Sequence, residues 1–126
     1  MYIRIAIIDD LNSLATLFND YRMCLGKESN QSDCTAFIQA RLFENDSVIF
    51  LAFKANVPVG FIQLFPSYSS ILLRPLWYFD DLYVADEFRG MGIAAALIAK
   101  AKELADETQV VAVRRDKIEG AVFLLI

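Results

Sequence analysis

Asp80-Asp81-Leu82-Tyr83-Val84-Ala85-Asp86-Glu87-Phe88-Arg89-Gly90-Met91-Gly92-Ile93-Ala94 is the stretch that decides the fold. It joins an apolar, strand-like run, 79–84, to a helix-like run that starts at Ala95 and carries Leu97, Ile98, Ala101 and Leu104. A strand, a glycine-containing turn and a helix make a ready anion site. The first N–H groups of a helix have no partner inside it, and the helix dipole adds partial positive charge at the same end. Gly90 and Gly92 let the backbone come close to a phosphate without a Cβ in the way. Arg89 adds a permanent cation. Two common phosphate loops are excluded. Gly-x-x-x-x-Gly-Lys-Ser/Thr does not occur in the chain, and Gly-x-Gly-x-x-Gly fails because Ala95 stands where its third glycine would.

With 126 residues the chain is expected to be one domain, 1–126, with enough length for one core. It is 56% hydrophobic, yet no apolar run approaches the ~20 residues of a membrane span. Nor does a basic-then-apolar leader open it, since Arg4 sits inside the first strand pattern. No membrane partner is expected, and the apolar content points to a well-buried sheet, an oligomer interface or both. The net charge of −4 argues against nucleic acid and suits a cationic substrate such as an amine. Cys24 and Cys34 show no Cys-x-x-Cys spacing, so reduced thiols and a cytoplasmic location are expected, with Cys24 buried rather than nucleophilic. The chain has no histidine. That removes Ser-His-Asp and Cys-His catalysis and the usual zinc sets, so no metal is expected. A general base must be a carboxylate, a tyrosine, a cysteine, a lysine or a water chain.

Outward from the loop, the patterns predict a strand over 2–7 and a helix from Asp9 or Asp10 to about Leu25, with Gly26 as its stop. Leu11, Leu14, Leu17 and Phe18 form its apolar stripe. A second helix is predicted from Ser32-Asp33 to near Asn45. Strands follow at 47–53 and 59–65, joined by a turn at Asn56-Val57-Pro58, and then a loop at 66–70. Another strand spans roughly 76–84. The helix after the glycine turn ends near Glu107, a strand covers 110–113, 116–120 is turn-like, and 121–126 is a short apolar strand candidate.

Arg-x-x-Gly-x-Ala at 89–94, preceded by Leu82-Tyr83-Val84, resembles the acyl-CoA loop of the GNAT family of N-acetyltransferases. Residues 80–94 read like that family almost residue for residue, and Ile3-Arg4-x-Ala6-x-x-x-Asp10 resembles its opening. The resemblance covers about residues 2–113. It implies an α/β fold with a mixed, mostly antiparallel central sheet flanked by helices. It also implies transfer of an acetyl group from acetyl-CoA, a co-substrate, to an amine by direct attack on the thioester. The loop amides of Arg89, Gly90, Met91, Gly92, Ile93, Ala94 and Ala95 would take the pyrophosphate. Main-chain groups of Leu82, Tyr83 and Val84 would meet the pantetheine arm and the thioester. Met91 and Ile93 side chains are expected to pack.

Asp80 and Asp81 are the candidate proton acceptors, and an acidic residue on this strand often has that role in the family. Neighbours on a strand point to opposite faces. Asp81 is favoured because it shares a face with Tyr83, although a bulge reverses such a phase. The plainer alternative is that both carboxylates are exposed or pair with Arg74 or Arg89. Trp77, Tyr78, Phe79 and Tyr83 make an aromatic patch, of which at least two are expected to be core. Tyr21 and Arg22 fall in the family's acceptor region, with a solvated helix end as the default.

After Val113 the chain departs from the family. The usual last helix, its tyrosine and the closing strand hairpin have no counterpart in Arg114 to Ile126. A shortened gene, a replacement strand formed by the tail, or completion of the sheet by a second chain would each account for this. An apolar strand without a partner is an aggregation hazard. Pairing within the chain or across a homodimer is therefore expected. A CoA-binding domain without catalysis and a dimerising interaction domain are the competing functional readings.

Overall fold

The computed structural model describes residues 1–116 and 120–124, the last two strands by their backbone pairing. In chain order the elements are β1 (Tyr2–Ile5), a 3-10 turn (Ile8–Asp10), α1 (Leu11–Cys24), α2 (Gln31–Glu44), β2 (Val48–Lys54), β3 (Val57–Ser69), β4 (Arg74–Val84), a second 3-10 turn (Asp86–Phe88), α3 (Ile93–Thr108), β5 (Val111–Asp116) and β6 (Gly120–Leu124). The strands form one sheet in the order β1-β2-β3-β4-β5-β6. All neighbours are antiparallel except β4 and β5, which run parallel because α3 carries the chain back between them. This is the mixed, mostly antiparallel α/β sheet that the sequence predicts. Among the described residues, no helix is long and apolar enough to cross a membrane.

Alternation along the strands builds a core on each face of the sheet. Leu51, Phe53 and Phe61 pack with Leu14, Phe18, Tyr21 and Ile38 of α1 and α2. Phe50, Ala52, Ile62, Leu64 and Phe79 face the other way, onto Ile93, Leu97 and Ala101 of α3. Leu97, Ala101 and Ala105, four residues apart, are completely buried. Alanines at two of those positions let α3 lie close against the strands.

Several boundaries differ from the sequence reading. β1 stops at Ile5, because Asp10 draws the chain out of the sheet. Its carboxylate accepts the Ile7 N–H at 2.8 Å and both terminal guanidinium nitrogens of Arg4 at 2.7 and 2.8 Å. α2 starts at Gln31, not Ser32, since the Asn30 side chain caps it. The turn between β2 and β3 is Ala55-Asn56, with φ of 50° and 64°, rather than 56–58. Positive φ at both positions matches the right-handed twist of the strands that a two-residue hairpin joins.

The expected loop at 66–70 is mostly strand, with Pro66 opposite Trp77 and Ser69 opposite Arg74. Pro66 is tolerated because of its phase. The Ala85 N–H donates to the Val59 carbonyl, so odd-numbered β3 residues bond toward β4 and even-numbered ones face β2. β2 begins at Val48, opposite Leu64, so Pro66 lies beyond its end and no ladder bond is lost there. The predicted tail strand is β6, and it pairs within the chain, from Ala112 with Leu124 to Asp116 with Gly120. The sequence candidates at 117–119 and 125–126 lie outside the described residues.

Candidate active site

β4 is bonded to β5 only from Leu76 to Phe79. From Asp80 onward it is held by β3 alone, while β5 runs on to Asp116 against β6. The parallel pair therefore comes apart in the middle of the sheet. The cause is a bulge: Gln63 faces Asp81 and Leu64 faces Phe79, leaving Asp80 with no partner on β3. The bulge reverses the phase of the strand. Phe79 is wholly buried on the α3 side, yet Asp81, two residues later, shares the α1 side with Tyr83. Peptide groups alternate as well. The Ala85 N–H faces β3, as does the Tyr83 carbonyl, close to Gly60. The peptide groups of Leu82 and Val84 point into the opening instead. Of the three main-chain positions expected to meet a ligand, Tyr83 is thus turned toward the neighbouring strand.

The opening leads to the glycine turn. Gly90 and Gly92 have φ of 79° and 82°, a conformation that side chains disfavour, and no atom lies within 4 Å of the place a Cβ would take at either. Gly92 begins α3 without a side-chain cap, whereas α2 is capped by Asn30. The Ala96 N–H bonds back to the Gly92 carbonyl and the Arg89 N–H to Asp86. Among the described residues, the N–H groups of Gly90, Met91, Gly92, Ile93, Ala94 and Ala95 have no protein acceptor. Gly90, Gly92, Ile93 and Ala94 border a hollow of about 330 Å³ that also touches Val84, Phe88 and Arg89. Consecutive unpaired amides at a helix start form an anion cradle.

Arg89 does more than supply charge. Its Nε donates to the Val84 carbonyl at 2.9 Å, and its guanidinium pairs with Asp86 at 2.7 Å and lies over the Tyr83 ring, 5.6 Å from its centroid. It ties the end of the strand to the turn. Neither carboxylate of Asp80-Asp81 pairs with Arg74, whose guanidinium donates to the Gln109 carbonyl, or with Arg89.

Asp81 is half-buried and held from two sides. Tyr21 Oη donates to Oδ1 at 2.9 Å and Gln63 Nε2 to Oδ2 at 3.0 Å. Behind Gln63, Ser47 Oγ donates to Oε1 at 2.9 Å. A carboxylate offers about four lone-pair positions, so two remain for a ligand. Tyr21 also reaches the Asp80 carbonyl at 3.3 Å. Burial, reinforced by the Asp81 charge, pushes the Tyr21 phenol far above its ordinary value, so it stays a donor. Tyr83 is also pushed up, by burial and then by Asp20.

Other expectations change. Tyr21 is no solvated helix end, because it continues the Leu14–Phe18 stripe into the core and meets Phe61 edge-on at 5.6 Å. Cys24, at the end of α1, is exposed, whereas Cys34 is buried. Ile93 packs as expected, but Met91 is 53% exposed at the tip of the turn. Within the aromatic patch, Phe79 is core and Trp77 packs beside it, its indole N–H donating to Thr108 at 2.9 Å. Gln63 and Ser47 escaped the sequence reading. The available signal was a polar side chain in phase with Phe61 inside the apolar run 59–65.

Comparison with known proteins bears on the family and the fold. Residues 14–117 match the model of the Acetyltransferase (GNAT) family. The chain is 35% identical over 107 residues to the uncharacterized N-acetyltransferase YhfO of Bacillus subtilis (strain 168), covering 85% of this chain and 72% of that one. It is 37% identical over 101 residues to a probable acetyltransferase of Haemophilus influenzae, covering 79% and 69%. A crystal structure of a probable acetyltransferase superposes with a TM-score of 0.86 at 36% identity, covering 94% of this chain and 81% of the other. A family-wide match, two relatives above 30% identity and a matching fold place this chain in the GNAT acetyltransferase family.

Proposed function

We propose that this protein transfers an acetyl group from acetyl-CoA to a primary amine of a small molecule or protein. The observation that carries the proposal is the run of unpaired N–H groups from Gly90 to Ala95, set beside the place where β4 leaves β5. Those amides, with the dipole of α3, suit the pyrophosphate of CoA. Met91 and Ile93 contribute only their N–H groups to that cradle. Leu82 offers its peptide groups and Val84 its N–H along the opening, and Tyr83 contributes its ring. Bound acetyl-CoA would supply the electrophilic thioester carbonyl.

Asp81 takes the proton of the incoming ammonium, directly or through one water, and leaves a neutral amine lone pair free to attack. The new C–N bond forms as the C–S bond breaks. The second proton of the amine nitrogen passes, directly or through water, to the departing thiolate, which leaves as the thiol of CoA. Asp80, on the bulge, lends a second negative charge that draws the cation in. Asp20, Asp86 and Glu87 line an open hollow beside Tyr83, and their charge suits a cationic acceptor. The cytoplasm, where acetyl-CoA and reduced thiols coexist, is the compartment this reading expects, and a homodimer the assembly. A CoA-binding role without turnover has one observation in its favour: β5 ends at Asp116 and β6 begins at Gly120, so only three residues separate the two strands where the family resemblance implies a helix.

Calorimetric titration with acetyl-CoA tests the proposal, with Gly92→Glu as the control. Saturable binding is expected in the wild type. A carboxylate held about 4 Å from a phosphate costs about 4 kcal/mol at an effective dielectric of 20, so affinity should fall at least 100-fold in the variant. Equal binding by both proteins would move the phosphates away from this turn. Binding without acetylation of any member of a primary-amine panel would favour the non-catalytic reading.

A further inference from the structure

We infer that Gln63 is a positioning residue for Asp81, and that Ser47 anchors the far end of its amide. The inference rests on the reading of Asp81 as the proton acceptor. Gln63 is 1% exposed and sits on the α1 face of β3, between Phe61 and the end of the core. An apolar residue would fill that place without needing a partner. A buried amide is costly unless its polar atoms are satisfied. Here both ends are engaged, Oε1 by the Ser47 hydroxyl at 2.9 Å and Nε2 by Asp81 at 3.0 Å.

Ser47 anchors the far end of the amide. The Asp81 carboxylate only accepts, so it draws the NH2 group toward itself, and the Ser47 hydroxyl, free to donate, then satisfies Oε1 at the far end. On the opposite side Tyr21 occupies Oδ1. Gripped by both donors, the carboxylate cannot rotate, and its two remaining lone-pair positions are fixed relative to the bulge. The neighbouring groups that titrate are Tyr21 from α1 and Tyr78, Asp80 and Tyr83 from β4 itself. Gln63 from β3 and Ser47 before β2 are neutral, so a charge introduced at 63 has no cation beside it in this network.

Gln63→Glu changes little in shape but sets a carboxyl group against Asp81. Two carboxylates in such a site do not both ionise freely. The carboxyl-carbon NMR titration of Asp81, assigned with Asp81→Asn, is expected to move upward by about 1–3 pH units, the range a neighbouring charge produces. The acidic limb of the rate–pH profile should move with it, while the acetyl-CoA KM stays within about twofold. Ser47→Ala, which leaves Oε1 without its partner and loosens the amide's hold on Asp81, should shift the titration in the same direction by less. It also carries the test should Gln63→Glu fail to fold. An Asp81 titration unmoved in either folded variant would overturn the inference. Asp81→Asn turning over at the wild-type rate would instead remove Asp81 as the base, and the titration would still report on Gln63.

Discussion

Gly60 lies opposite Val84 in the β3–β4 ladder, where the strand forms one wall of the opening. A Cβ there would stand 2.7 Å from the Tyr83 carbonyl oxygen, 3.3 Å from Val84 Cγ2 and 3.4 Å from Val84 Cα. Ordinary carbon contacts lie at about 3.5–4.0 Å. The worst contact is with backbone, so no rotamer change relieves it, and the two strands must move apart. Overpacking of this kind costs about 1–3 kcal/mol, and a rigid neighbour favours the upper half of that range. Restriction of the unfolded chain by alanine returns about 0.4–1 kcal/mol. Gly60→Ala is therefore expected to lose roughly 1–2.5 kcal/mol. For a chain of this size that lowers Tm by roughly 3–12 °C. Urea unfolding with a thermal melt measures both quantities. A variant that melts with the wild type would show that the strands do not approach as closely as described. The argument that backbone contact shapes this wall would then fail.

Asp10 gives a pH-dependent prediction. The Arg4 guanidinium holds its carboxyl below the usual carboxylate range, so its contribution to stability is complete above about pH 4 and is lost as pH falls through the depressed value. Asp10→Asn should be less stable than wild type near pH 7, and the gap should close in acid; a gap independent of pH in urea titrations would contradict this. At the β2–β3 turn, Ala55 holds a φ of 50°, which glycine adopts freely. Ala55→Gly is expected to change stability by less than about 1 kcal/mol and in the favourable direction, because relief of left-handed strain outweighs the added freedom of the unfolded chain. A drop in Tm would show that the turn is relaxed with alanine.

The strand, turn and helix at 79–105 were legible because each depends on local chemistry: apolar alternation, glycines where φ turns positive, and a stripe repeating every three or four residues. The α1 stripe through Leu14, Leu17 and Phe18 was legible for the same reason. The bulge at Asp80 was not, because it arises from pairing with β3 and leaves no mark in the order of residues. Without it, Asp81 would share a face with Phe79; the sequence reading reached Asp81 by way of Tyr83, on the correct side of the irregularity. Tyr21 lies one helical step beyond Phe18 on the same stripe, which carries it into the core rather than to a solvated helix end. The length of the β3–β4 hairpin was hidden by Pro66, whose place in a strand depends on where β2 begins. The exposure of Cys24 follows from which neighbours cover the last turn of α1, a matter of tertiary packing.

The strands stand in the sheet in the order in which they occur in the chain. No strand must be threaded between two that have already joined. The β2–β3–β4 meander closes through short turns and can assemble as a unit, with little entropy lost to loop closure. β1 is reached across α1 and α2, and β5 across α3. The opening beside β4 exists only because β5 pairs with four of its residues, Leu76 to Phe79, and no further. The cleft is thus the residue of an unfinished pairing. Its geometry is fixed by where that pairing stops, before any ligand arrives.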